Sequence, residues 1–168
     1  MKLKNFKLFV EKLEDTKEDI EKSIVTVNIL YKNYEGKDTT GQIEVHKDIK
    51  NNIELVFKDL YEIEFPINMV DKSYGRDDED IILDNITTGY NFRYVKGTTK
   101  LSKHARGYAI DLNPKVNPAK PSQMSHVYDE SINTGKITDN IVNIFKNRGF
   151  KWGGEIFGNF LDLHHFEI

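Results

Sequence analysis

Two short segments far apart in the chain dictate what this sequence can fold into. They are Ser102-Lys103-His104-Ala105-Arg106-Gly107-Tyr108-Ala109-Ile110-Asp111 and, near the other end, Asp162-Leu163-His164-His165-Phe166. Each carries nitrogen and oxygen donors in close order, and those donors act as a set only in a fold that brings both segments to one point. His104 and Asp111 with one histidine of the second segment make three protein ligands. Three ligands leave the fourth position of a tetrahedral zinc open, which is the arrangement of a catalytic rather than a structural site. The chain has no cysteine, so a disulfide framework and a sulfur-ligated zinc site are excluded, and any metal must be held by nitrogen and oxygen.

The residues around these donors suit that task. Gly107 permits a sharp turn after His104 at no Cβ cost. Tyr108 to Leu112 then alternates like a strand, placing Ala109 and Asp111 on one face and Tyr108, Ile110 and Leu112 on the other. A small Ala109 beside the carboxylate leaves room for an ion. Ser102, two positions before His104, is placed to hold an imidazole or a loop by hydrogen bonding. In the second segment a regular strand puts Asp162 on the face of His164, and His165 on the face of Leu163 and Glu167. Either histidine can therefore be the ligand on spacing alone. If it is His165, Asp162 must lie just before the strand or at a bend.

Elsewhere the pattern reads as alternating strands and amphipathic helices. Leu3, Phe6, Val10 and Leu13 recur at helical spacing, which predicts a packing helix over the first twenty or so residues. Val25, Val27, Ile29 and Tyr31, a Glu35-Gly36-Lys37-Asp38 turn, and Gln42 to His46 predict a hairpin. Ile49, Ile53, Val56, Phe57 and Leu60 share a helical face, with Asp48 in the N-cap position. Phe65 to Val70 and Asn91 to Val95 read as strands, Asp71 to Asp80 as a charged loop passing over the site. Asn113 to Gly135 holds three of the four prolines and reads as a long irregular loop near it. A last helix, capped by Thr138, presents Ile141, Ile144 and Phe145 and stops at Gly149.

At 168 residues with 38% hydrophobic positions, the chain can bury one sizeable core, and a single domain is expected. We divide it into residues 1–24, an N-terminal helix, and residues 25–168, the metal-bearing domain. The net charge of −3 comes from 24 basic and 27 acidic residues without a basic stripe, which argues against nucleic acid as a partner. The apolar run after Met1 is too short for a signal peptide, and no membrane span is expected. His46 and His126 read as ordinary strand and loop residues.

The motif Ser102-x-His104-x-x-Gly107-x-Ala109-x-Asp111, with Trp152-Gly153-Gly154 and Asp162-x-x-His165-Phe166 after it, resembles the zinc D-alanyl-D-alanine carboxypeptidase and L-alanyl-D-glutamate endopeptidase family, the VanY-like peptidoglycan peptidases. Phe65-Pro66-Ile67, Asn91-Phe92-Arg93 and Asp111-Leu112-Asn113-Pro114 stand in the same order, so the likeness runs from about Val27 onward. One departure is Ile156 after Glu155, where the family carries a second tryptophan lining the substrate.

This resemblance implies an α+β fold of the Hedgehog/DD-peptidase kind, a small antiparallel sheet carrying the zinc site with helices on its other side. It implies one Zn2+ per chain on His104, Asp111 and His165, with Asp162 as general base and Arg93 facing the substrate carboxylate or the oxyanion. Ser102, Trp152 and His164 would support the ligands or touch substrate, Trp152 chiefly as a packing residue. The implied partner is a peptidoglycan stem peptide, the implied place of action the cell wall, and the working unit a monomer. A D-alanyl-D-alanine dipeptidase is the rival enzyme, but that branch carries Glu where Asp162 stands. A zinc-holding binding module without activity is the rival outside catalysis, and such a module need not keep Asp162 or Arg93.

Overall fold

The structure is a computed structural model that describes residues 16–168. The expected N-terminal helix therefore falls mostly outside the described residues. The first described element is α1 (Lys17–Glu21), which starts at its own N-cap, Thr16, whose hydroxyl accepts from the Asp19 amide. Among the described residues no helix is long and apolar enough to cross a membrane.

The hairpin forms as expected and is longer than the pattern suggested. β1 (Ile24–Lys32) pairs antiparallel with β2 (Asp38–His46) over its whole length. Its inward residues Val27, Ile29, Tyr31, Ile43 and Val45 are buried, and the Asn33 carboxamide closes the turn by accepting from the amides of Glu35 and Lys37. The following helix, α2 (Lys50–Glu62), lays Ile53, Val56, Phe57 and Leu60 on that face. Asp48 is not its N-cap: a 3-10 turn, Lys47–Ile49, precedes it, and the His46 ring nitrogen accepts from the Asp48 amide. His46 also stacks on Tyr108 at 4.5 Å.

The middle of the chain departs most from expectation. Of Phe65 to Val70, only β3 (Met69–Val70) is a strand, and it pairs parallel with β4 (Ile86–Thr87). The charged stretch turns helical at Asp77, whose carboxylate accepts from the Asp80 amide and starts α3 (Asp78–Leu83). Ile81 and Ile82 bury that helix. Asn91 to Val95 is not a strand. Its hydrogen bonds go to turns and to the first motif (Asn91 amide to His104 carbonyl, Ser102 amide to Arg93 carbonyl), leaving a single bridge between Tyr94 and Leu101.

The C-terminal half supplies the sheet that matters for the site. β5 (Ala109–Asp111), β9 (His165–Glu167) and β7 (Lys151–Trp152) form an antiparallel sheet in the order β5-β9-β7. A smaller pair joins β6 (Ala119–Lys120) to β8 (Leu161–Asp162). Behind the sheet lies the main core, where α4 (Asp139–Asn147) stacks Phe145 on Phe166 of β9 at 3.7 Å between ring centroids. Thr138 precedes α4 in extended backbone but makes no side-chain cap bond, and α4 is not the last helix: α5 (Gly153–Ile156) follows β7.

The loop from Asn113 to Gly135 is irregular, as its prolines imply, yet it is tied down. Asn113 and Asn117 are buried at its base and hold it by hydrogen bonds to Pro66, Gly135, Ile137 and the Asn68 amide. Buried amides bonded at nearly every valence substitute for regular structure. The architecture is thus α+β, with α4 behind the β5-β9-β7 sheet and α2 packed on the hairpin and on α4. The sheets are not all antiparallel, because β3 and β4 run parallel.

Candidate metal centre

His104 heads a 3-10 turn, His104–Arg106, that its neighbours force into place. The Ser102 hydroxyl accepts from the Ala105 amide at 3.1 Å. Gly107 then adopts φ 73° and returns its amide to the His104 carbonyl. A Cβ at Gly107 would lie 2.5 Å from the His46 amide nitrogen, so both its left-handed backbone and its close approach to β2 require glycine. A small satellite core of Ile20, Tyr90, Leu101 and Ala105 packs beneath the turn.

Register brings His165 up to His104. In the β5-β9 pair Asp111 lies directly opposite His165, so both side chains leave the same face of the sheet, while Ile110 and Phe166 enter the core on the other. His104 Nε2 is 3.1 Å from Asp111 Oδ1 and 3.1 Å from His165 Nδ1, and His165 Nδ1 is 3.3 Å from Asp111 Oδ1. All three residues are buried, and their donor atoms form a cluster able to hold a metal ion. Donor atoms around a tetrahedral zinc with bonds near 2.1 Å stand roughly 3.3–3.6 Å apart, so this triangle needs only a few tenths of an ångström of expansion.

The far side of each imidazole faces an acceptor, which in a neutral ring draws the proton outward. His104 Nδ1 lies 2.7 Å from the Gly89 carbonyl, which can only accept, so Nδ1 carries the proton. His165 Nε2 donates in the same way to Glu167 Oε2 at 3.0 Å. In the neutral rings Nε2 of His104 and Nδ1 of His165 are then bare and face each other and a carboxylate oxygen. Such a cluster wants a cation at its centre, and an outer acceptor fixing each ring is the usual support of a metal-bound histidine.

Without metal the three groups shift one another's protonation. Burial, partly offset by Asp111, holds His104 below its ordinary value. Burial also disfavours charge on His165, but hydrogen bonds to Asp111 and Glu167 outweigh it and raise this ring to about 10. Burial would raise Asp111, yet the surrounding imidazoles hold it well below the carboxylate range.

The other expected residues gather around this triangle. Asp162 ends β8, just before the bend into β9, and its Oδ1 is buried without a hydrogen-bond partner. His164 donates from Nδ1 to the Asn117 carbonyl at 2.7 Å and brings Nε2 to 3.0 Å from Asp162 Oδ1, out of line for a hydrogen bond. Arg93 is held by Asp78 at 3.1 Å and turns its outer nitrogen to within 4.0 Å of Asp111 Oδ2. Ser102 acts on the backbone of the His104 turn. Trp152 is half-buried against the main core and donates its indole proton to the Leu163 carbonyl at 3.0 Å, bracing the bend before His165. His126 stays exposed, paired with Glu79.

Several neighbours carried no signal in the sequence. The Gly89 carbonyl and Glu167 orient the imidazoles, although Glu167 two residues after a candidate ligand histidine was a findable hint. Thr88 bridges Asp111 through both backbone hydrogen bonds, and its buried hydroxyl has no partner. Phe157, 40% exposed, sets its ring 5.7 Å from His165 and 6.2 Å from Phe160.

Comparison with curated proteins and with solved structures gives no match. Residues 96–168 match the family model described as D-alanyl-D-alanine carboxypeptidase. That segment contains the His104–Asp111–His165 triangle, Asp162 and the β5-β9-β7 sheet; Arg93 precedes it. This segment, rather less than half of the chain, is similar to the D-alanyl-D-alanine carboxypeptidase family that the motifs also resemble.

Proposed function

We propose that this chain is a zinc-dependent peptidase that hydrolyses a peptide bond in peptidoglycan stem peptides. The observation that carries the reading is the buried triangle of two inward ring nitrogens and a carboxylate oxygen, each 3.1–3.3 Å from the others, inside a segment that matches a peptidase family. Nitrogen and oxygen donors in a three-ligand set suit Zn2+, one per chain, held by His104, Asp111 and His165. When bound, the ion supplies Lewis acidity that lowers the pKa of water toward about 7 and polarises the scissile carbonyl.

The chain's own residues supply the rest. Asp162 keeps Oδ1 buried while its side chain stays 20% exposed, so Oδ2 is the oxygen available to take the proton of the attacking water and return it to the departing amine. Arg93, steadied by Asp78, aims its cation at the negative charge that develops on the carbonyl oxygen or at a substrate carboxylate. Both functional groups are retained, which favours an enzyme over a zinc-holding binding module. The fold is read as the Hedgehog/DD-peptidase kind, acting on the cell wall as a monomer. The bond cut is the terminal D-alanyl-D-alanine or the L-alanyl-D-glutamate link.

Zinc-loaded protein incubated with purified muropeptides tests the reading through product masses. Loss of one alanine identifies the carboxypeptidase, and cleavage nearer the glycan identifies the endopeptidase. Asp162→Ala should keep zinc and lose turnover; His104→Ala should lose zinc. Muropeptides left intact by the zinc-loaded wild type would sink the assignment.

A further inference from the structure

Arg93 stands between two carboxylates, and the two have different work to do. Its Nε forms an ion pair with Asp78 Oδ1 at 3.1 Å, while Nη2 lies 4.0 Å from Asp111 Oδ2. Among the described residues these are the carboxylates within 4.0 Å of Arg93. The backbone there is fixed to the first motif: the Arg93 carbonyl accepts from the Ser102 amide at 3.1 Å, and the Asn91 amide donates to the His104 carbonyl at 3.1 Å. Where the guanidinium comes to rest is therefore decided by its side-chain partners. Asp78 is the first residue of α3, a helix anchored without help from the metal cluster. The Asp77 carboxylate caps it, Ile81 and Ile82 are buried, and the Asn91 carboxamide donates to the Arg76 carbonyl just ahead of it at 2.9 Å.

The two partners are unequally placed. The Asp78 side chain is 41% exposed and that of Asp111 11%. Attraction to the buried carboxylate is screened less by solvent and salt than attraction to the exposed one. The gap to Asp111 is also only about 1 Å wider than a charge-assisted hydrogen bond. Without Asp78, the guanidinium would close on Asp111 Oδ2, the second oxygen of the carboxylate whose Oδ1 faces both ring nitrogens of the triangle. We propose that Asp78 is a positioning residue that holds Arg93 off Asp111, leaving that carboxylate free for the metal and the guanidinium free for the substrate. This role rests on the peptidase reading above and brings into the site α3, which precedes the segment matching the family.

Asp78→Asn removes the charge and keeps the shape at an exposed position. Zinc affinity is read on the whole chain by competition with a chelator, for Asp78→Asn, for Arg93→Ala and for the two combined. Asp78→Asn alone should bind zinc about tenfold more weakly, as loss of an outer partner at a metal site does. Adding Arg93→Ala should restore the affinity, because the cation that closes on Asp111 is then gone. On muropeptides Asp78→Asn should lower kcat/KM about tenfold in the wild-type background and leave it unchanged in the Arg93→Ala background, the mark of two residues acting as one unit. Wild-type zinc affinity in Asp78→Asn overturns the role. So does a double variant that binds zinc as weakly as Asp78→Asn, since α3 would then act on the site without Arg93. The chelator competition needs no turnover, so a wild type that binds zinc and leaves muropeptides intact strikes the peptidase reading alone.

Discussion

Gly153 offers the sharpest test of how the fold holds the site, because it sits where α5 presses against the bend between β8 and β9. A Cβ built there would lie 2.4 Å from the Asp162 carbonyl oxygen and 3.0 Å from both the Asp162 and His165 Cβ atoms. The nearest of these is backbone, which cannot swing aside. Reaching ordinary van der Waals contact requires that carbonyl to retreat by about 1 Å. Overpacking of this kind costs about 1–3 kcal/mol. At about 3 °C per kcal/mol for a chain of this size, Gly153→Ala should lower the melting temperature by on the order of 3 to 9 °C. The displaced residues are the proposed base and a proposed ligand, so turnover should fall on the order of a hundredfold, far more than the loss of stability would imply. Calorimetry and muropeptide turnover on the same preparation measure both effects. A variant with wild-type melting temperature and rate would show that the bend is not packed as described.

Other perturbations address single contacts. Glu167→Gln removes the charge that orients His165 and should weaken zinc binding about ten- to a hundredfold, measured by competition with a chelator; unchanged affinity would discredit the outer hydrogen bond at 3.0 Å. Arg93→Ala should keep zinc while lowering kcat/KM about a hundredfold or more, and equal activity would reduce Arg93 to a partner of Asp78. In metal-free protein, His165 holds a proton up to about pH 10 against an ordinary value of 6.5. The folded state then binds more protons than the unfolded one between those limits, so this group's stabilisation is complete below about pH 6.5 and is lost as pH rises toward 10. His104, held below its ordinary value, acts only under that window. Urea unfolding of chelated protein across pH 6.5–10 should show this decline, and a flat or rising profile would contradict it.

What the sequence made legible follows from how local each signal is. The alternation from Tyr108 to Leu112 and the left-handed Gly107 depend on nearest neighbours, and the structure keeps both. The choice between His164 and His165 depends on which residue of β9 faces Asp111, and register is a tertiary property that spacing cannot supply. Asn91 to Val95 has strand-like composition, but its backbone partners lie in the His104 turn rather than in a sheet edge, so propensity was overruled by the site. α3 hid behind its charge: Asp77 to Asp80 looks like solvated loop, although an Asp cap three residues before Asp80, followed by Ile81 and Ile82, is a helix start. The Gly89 carbonyl and the buried Thr88 hydroxyl had no sequence signal, since any residue offers a carbonyl and threonine is common in strands.

The proposed ion would be held by residues drawn from a turn and two strands. Diffraction from zinc-loaded crystals, recorded on either side of the zinc absorption edge, places that ion directly. A single anomalous peak is expected about 2.0–2.2 Å from His104 Nε2, Asp111 Oδ1 and His165 Nδ1. A peak bound instead through His164, or zinc found only on surface carboxylates, would contradict it.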